Sequence, residues 1–518
     1  MIYSMIFLLF MAAALAAHEI TGRFKSEYQW VIKLIASAAF YLYSAGWRVI
    51  FLLLSIISVW AIALKLDAMS ENDKVHLAGS NYSKEEKKLY KKKRAGRKRL
   101  LLFCAIGFNL SLLVLVRFVM PRMLNDIVLP LGISFYTFMA ISYLADVYGG
   151  KYQAEKNAAK VALYLSWFPQ MLFGPINRFD YVKDTLFGSS RLNYERIRRC
   201  GILFLFGAIK KFALANFLSP CVNEIFGRES LSDLPGSFLL FTALLFAIEQ
   251  YADFSGGIDM VMAISGLFAV KMNDNFRQPY FSKTLSEFWR RWHISLGAFL
   301  RDYVFYPFAL LLPIEKLNKA VSRRFGKRFA RSVVAGIGNI LIFLLVGLWH
   351  GSDVHYIVWG LYFGVIIAVS DFLEPAFMRL KALLCINSDS KIFKAFQIAR
   401  TFFIVVLAGY FDAITNVSNG IVCFKNTFFK FNIKELVPCI KYLYDCALIP
   451  DLGLIAALIT LAIILTVSLL SEKQIDVTHT LMSKNIVFRW SVYFVLLYVM
   501  LFGFAASGNG GGFMYAAF

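Results

Sequence analysis

The chain has 518 residues, 59% of them hydrophobic and only 17% charged, with a formal net charge of +22. A soluble domain is about 45–50% apolar and about 25% charged; here the apolar excess is gathered in blocks, which excludes a soluble globular protein and marks a polytopic membrane protein. So basic a soluble chain would suggest nucleic acid, but these bases gather in loops between apolar runs without the stacking platforms such binding requires, so no nucleic-acid partner is expected.

The chain opens on "MIYSMIFLLFMAAALAAHE". Its small residues imitate a cleavage site, yet no basic segment precedes the apolar run, and Arg23 and Lys25 follow it, so 2–17 reads as a retained first span. Further uncharged or nearly uncharged runs lie at 46–64, 100–116, 236–248, 332–352, 399–411 and 452–470. More interrupted ones lie at 29–45, 127–145, 159–176, 200–219, 254–270, 354–370 and 487–506. Together they predict an all-α chain with roughly 11–13 membrane segments, some re-entrant, in a single membrane domain over 1–518. The densest basic stretch, "SKEEKKLYKKKRAGRKR" (83–99), lies in a predicted basic loop, 71–99. By the positive-inside rule this loop is cytoplasmic, as are 315–331 and 379–400. A polar insertion over 375–450 is expected to form loops or short interfacial helices.

The middle of the chain, 249–374, concentrates the unusual residues. In "EQYADFSGGIDMVMAISGL" (249–267), Glu249, Asp253 and Asp259 lie in or beside an apolar run that "SGG" is expected to break. Acidic groups at membrane depth are functional candidates; the bland alternative is a carboxylate that caps a helix or pairs with a base. In "NFRQPYFSKTLSEFWRRWHISLGAFLRDYVFYPF" (275–308), Thr284 and Glu287 predict a capping box with a helix starting at Leu285. Trp289, His293, Gly297 and Arg301 would then form one stripe, with Arg290 and Arg291 beside it and Glu287 placed to pair with Arg291. Finally "LIFLLVGLWHGS" (341–352) ends an uncharged run on His350, a titratable ring that is costly in hydrocarbon unless it is paired or reached by water. Gly336 and Gly338 are places where this span could break. The seven cysteines show no zinc spacing, and His350 and His355 do not share a helix face, so no metal site is expected.

The order "FWRRWHISLGAFLRDYVFYPF", a basic loop, then "GLWHGSDVHYIVWG" closely resembles the membrane-bound O-acyltransferase (MBOAT) family, in its bacterial alginate O-acetylation branch. "LPLGISFYTFMAISYLADVYGGK" (129–151), "FPQMLFGPINRF" (168–179), 251–282 and the terminal 502–518 also look like that branch. The pattern departs from it at "YPFALLLPIEK" (306–316), where a Gly-Gly turn is usual, and at "YFDAIT" (410–415), where Asp412 replaces an arginine.

The resemblance implies a ring of tilted and re-entrant helices around a central tunnel, with His350 catalytic and His293 the second functional histidine. It also implies an acyl group, most simply acetyl, supplied by a cytoplasmic thioester (acetyl-CoA or an acyl carrier) with no tightly bound cofactor. The acceptor would be a hydroxyl of an exported or surface polysaccharide, or an extracytoplasmic acetyltransferase partner, at the cell (inner) membrane. D-alanyl transfer to teichoic acid is the alternative within the family; from a different class, so is a transporter or flippase. An alcohol attacking a thioester must lose a proton, and a neutral imidazole accepts one at physiological pH, so His350 is assigned as general base. His293 orients substrate or shares that transfer. Trp289, Trp292 and Trp349 are expected to shape the tunnel, Arg290, Arg291 and Arg301 to attract donor phosphates, and Asp253 and Asp259 to line it.

Overall fold

The computed structural model describes residues 5–79, 82–120, 130–446 and 451–506. The chain ends, and with them the start of the first span and most of the 502–518 stretch, lie outside the described residues, as does the beginning of the 127–145 segment. The described residues form helices joined by turns and loops, with one isolated bridge between Phe276 and Trp292. Ten helical stretches among them are long and apolar enough to cross a bilayer, or eleven with the pair Ile294–Ala309 and Leu312–Phe325, bent by 69°, counted as one span. One of the ten, Ser26–Gly79, is 54 residues long and is interrupted by a 3-10 turn at Gly46–Arg48. Side chains such as Leu452, Ile455 and Leu458 are exposed along Asp451–Glu472, as a lipid-facing helix surface requires.

Two compact units divide the chain. The first comprises Met1–Gly201 and Val261–Asn273. Neither the apolar run at 159–176 nor the described part of 127–145 forms a helix long enough to cross on its own. They form Ile133–Tyr148, Ala158–Ser166 and Phe168–Phe173, the last two far short of the about 20 residues a span needs. Their apolarity serves protein burial instead: Tyr136, Tyr143, Tyr164 and Phe168 are fully enclosed, and Trp167 donates to Ser265 Oγ at 3.0 Å. Hydropathy cannot separate the two uses, because both remove the same side chains from water. Buried Lys33 is held by the carbonyls of Thr185, Leu186 and Gly188 (3.2, 3.0 and 3.3 Å), which close the end of the helix Phe179–Phe187.

The basic stretch within 71–99 is helical rather than looped. Val49–Gly79 and Lys84–Val114 carry it, the second started by a capping box between Ser83 and Glu86. Asp73 pairs with Arg94 (2.6 Å) and Lys98 (2.7 Å), so charge that repels within one helix is partly neutralised by its neighbour.

The second unit comprises Ile202–Met260 and Asp274–Phe518. The helix Gly236–Leu267, of which 236–260 belong to this unit, runs unbroken through Ser255-Gly256-Gly257, contrary to the expected break. A π-helical turn over Lys210–Ala215 presents two consecutive lysines to this helix. Lys210 meets Asp259 and Lys211 meets Asp253, each at 2.5 Å, and Lys210 also donates to Ser255 Oγ at 3.0 Å. Asp253 and Asp259 are therefore each matched by a cation of the neighbouring helix, which is the condition for keeping them in an apolar medium, whereas Glu249 Oε2 is buried without a hydrogen-bond partner among the described residues.

Lys327–His350 is continuous through Gly336 and Gly338, and with Val354–Leu383 it makes a tight hairpin. A Cβ on Gly360 would lie 2.2 Å from the Phe343 carbonyl oxygen, so the backbones meet where only glycine fits. The polar insertion 375–450 folds into helices, chiefly Lys391–Ala413, Val417–Phe429 and Leu436–Asp445.

Two outcomes follow for thermal unfolding of the purified protein in detergent. Gly360→Ala forces the hairpin apart and should cost about 1–3 kcal/mol, as over-packing does. Asp253→Asn should cost about 3–5 kcal/mol by leaving the Lys211 ammonium buried without its counter-charge, whereas replacing both Asp253 and Lys211 by leucine should be close to neutral. A double variant as unstable as the single would show that the pair is not what matters there.

Candidate active site

His350 is the last residue of Lys327–His350, and Gly347 one turn earlier lets the partner helix approach it. A Cβ at Gly347 would stand 2.4 Å from the Tyr356 carbonyl oxygen. The spacing of the "GLWHG" motif thus has a packing cause: the glycine admits the first turn of the second helix against the histidine. The His350 ring is buried, edge-on to Trp359 at 4.8 Å and to Trp349 at 5.0 Å, and stacked on Tyr356 at 5.9 Å. Three aromatic rings are among its near neighbours.

His293 does not lie on a continuous helix. Leu285–Arg291 starts as expected, with Thr284 Oγ1 accepting from Glu287 N at 3.1 Å, while the Glu287 carboxylate takes Lys283 N at 2.9 Å. It ends at Trp292, and Ile294–Leu300 begins afresh after His293. The stripe Trp289, His293, Gly297, Arg301 is accordingly broken. The cause is tertiary: the segment 275–277 runs alongside the break, with Arg277 N donating to Arg291 O (2.9 Å) and Ile294 N to Asn275 O (3.0 Å). Those bonds replace the helical ones that the break gives up. His293 itself takes φ 46° and ψ 52°, a left-handed conformation that is uncommon outside glycine and is found at functional sites. Its ring is buried, edge-on to Phe254 at 4.9 Å and to Trp349 at 5.9 Å.

Trp349 therefore touches both imidazoles, and two histidines 57 positions apart in sequence meet across one indole. Trp289 and Trp292 join them through Trp359: all three line a cavity of about 20 Å³, room for about one water, with Phe288, Phe363 and Asp412. Gln250 donates to Asp412 at 2.5 Å on its wall.

The remaining predicted residues stand apart from this cluster. Arg290 is exposed. Arg291 pairs with Glu287 at 2.7 Å, as its spacing predicted, and also with Glu472. Arg301 is exposed and pairs with Asp302 at 2.9 Å. Asp253 and Asp259 are engaged by the two lysines, although Phe254, next to Asp253, carries the His293 ring. Sequence reasoning missed Phe254, Trp359, Tyr356 and Asn275. "VHYIVWG" follows the histidine motif directly and offered a signal for Tyr356 and Trp359; nothing in "NDNF" singled out Asn275.

The family model described as MBOAT, membrane-bound O-acyltransferase family, matches residues 154–411, which include both histidines. The chain is 30% identical over 400 residues to a probable alginate O-acetylase AlgI of Pseudomonas fluorescens, covering 77% of this chain and 69% of that protein. It is 30% identical over 271 residues to the peptidoglycan O-acetyltransferase of Helicobacter pylori (47% of each chain). It is also 30% identical over 250 residues to the teichoic acid D-alanyltransferase of Bacillus subtilis, covering 47% of this chain and 59% of that one. Similarity that extends this far on both sides of the two histidine segments makes the chain an O-acyltransferase and a member of the membrane-bound O-acyltransferase family.

Proposed function

We propose that this enzyme transfers an acyl group, acetyl in the first instance, from a thioester supplied on the cytoplasmic side to a hydroxyl on the other side of the cell membrane. The donor is acetyl-CoA or an acyl carrier, consumed as a substrate rather than held as a cofactor. The acceptor is a hydroxyl of an exported or cell-surface polysaccharide, or an extracytoplasmic acetyltransferase that completes the delivery. Relatives named for acetylation of alginate and of peptidoglycan support the acyl group and the acceptor class.

One observation carries the mechanistic reading: His293 and His350 are buried against the same indole, Trp349. In the reaction the acceptor oxygen attacks the thioester carbonyl carbon, the new C–O bond forms, and the C–S bond breaks. The hydroxyl proton passes to His350 as general base and then to the departing thiolate, so neither charge nor proton is left over. His293 orients the hydroxyl across Trp349. General-base assistance of this kind contributes about 10²–10⁴-fold, and the aromatic enclosure keeps competing water to a minimum.

D-alanyl transfer to teichoic acid is the second reading, favoured by the similarity to the Bacillus enzyme. The two are separated in cells by His350→Ala, with membrane insertion verified. Ester-linked acetyl on purified surface glycan should fall at least about a hundredfold. Unchanged esters of both kinds would overturn the acyl-transfer role of His350, and a loss of D-alanyl esters with acetyl retained would replace the first reading by the second.

A further inference from the structure

Three hydrogen-bonding groups converge on the side-chain oxygen of Asn275, which is itself buried. His293 Nδ1 lies 3.2 Å from it, the Ser295 backbone nitrogen 3.1 Å and the Ser295 hydroxyl 2.9 Å. A backbone N–H can only donate, so the atom it meets is the amide oxygen of Asn275 and not the amide nitrogen. An amide oxygen only accepts, so His293 Nδ1 must carry a hydrogen. In the neutral ring the lone pair is then on Nε2. That nitrogen is buried and has no hydrogen-bond partner among the described residues, and the same holds for Asn275 Nδ2. Unpaired buried polar atoms are rare, and a functional site is one of the recognised reasons for them.

We propose that Asn275 is a positioning residue: it locks His293 as the Nδ1–H tautomer, leaving Nε2 as the hydrogen-bond acceptor for a neighbouring hydroxyl of a polysaccharide acceptor, which turns the attacking hydroxyl and its one proton toward His350. The left-handed backbone at His293 belongs to the same device. The Ile294 amide is bonded to the Asn275 carbonyl at 3.0 Å, so backbone and side chain of one asparagine fix the direction and the proton of the ring together. The opposite tautomer would present an N–H to that neighbouring hydroxyl and could not accept from it. This inference rests on the acyl-transfer reading above.

The test uses the full chain in lipid nanodiscs, with ¹⁵N-labelled histidine and acetyl-CoA-dependent transfer as readouts. The wild type should show His293, identified by the signals lost in His293→Gln, protonated at Nδ1. Asn275→Leu should convert this to a mixed or Nε2–H signature and lower kcat about a hundredfold with the donor KM unchanged. Asn275→Asp keeps an accepting oxygen and should restore the tautomer and most of the turnover. Ser295→Ala removes one donor to Asn275 without touching the ring and should leave both readouts near wild type. If Asn275→Leu does not insert, Asn275→Asp decides alone: an inserted aspartate variant without the Nδ1–H signature overturns the proposal. Wild-type turnover in Asn275→Leu overturns it too. Should His350→Ala also turn over normally, the acyl-transfer role falls with it; should His350→Ala be dead, only the role of Asn275 is lost.

Discussion

Backbone amides and carbonyls shut away from water must find partners within the protein, and each one left unmatched costs several kcal/mol in hydrocarbon. That constraint shapes the site at His293. A helix can be interrupted there only because the strand-like segment 275–277 lies beside the interruption and takes up the groups it frees. The interruption in turn permits the left-handed turn that aims an imidazole at Trp349, which a regular helix would have aimed elsewhere. The placement of the His293 ring and backbone satisfaction are thus one problem with one solution.

The same logic governs the buried charges. Lys210 and Lys211 leave their helix at a π-turn, and two carboxylates of the facing helix receive them. Such pairs add little net stability over apolar residues of the same size, yet they penalise misregistration heavily, because any slip leaves a bare charge. Their neighbour Phe254 rests edge-on against His293. The registry of these helices is therefore tied to the position of the His293 ring.

Much of this was legible in the residues, and the boundary of legibility has a physical meaning. His350 at the end of an apolar helix, the Thr284 cap and the Glu287–Arg291 pair are local, set by spacing within one helix, and the structure has all three. The continuous stripe through His293 and the break at "SGG" were not found, and 159–176 is divided between two short helices. Each depends on what a segment packs against: a neighbouring strand-like segment, a facing pair of lysines, a surrounding protein interior. Asn275 was invisible for the same reason, since its role arises only when 275 and 293–295 are folded together.

The placement of His350 as the final residue of its helix has a further consequence. Lys327, Arg328 and Arg331 mark the opposite end, and 1.5 Å per residue sets about 35 Å between the two ends. The helix is thereby a ruler that sets the distance between its basic end and the imidazole. A bilayer that grows or thins moves its boundaries relative to the His350 ring while the ruler keeps its length, so membrane thickness becomes a variable of that ring's surroundings.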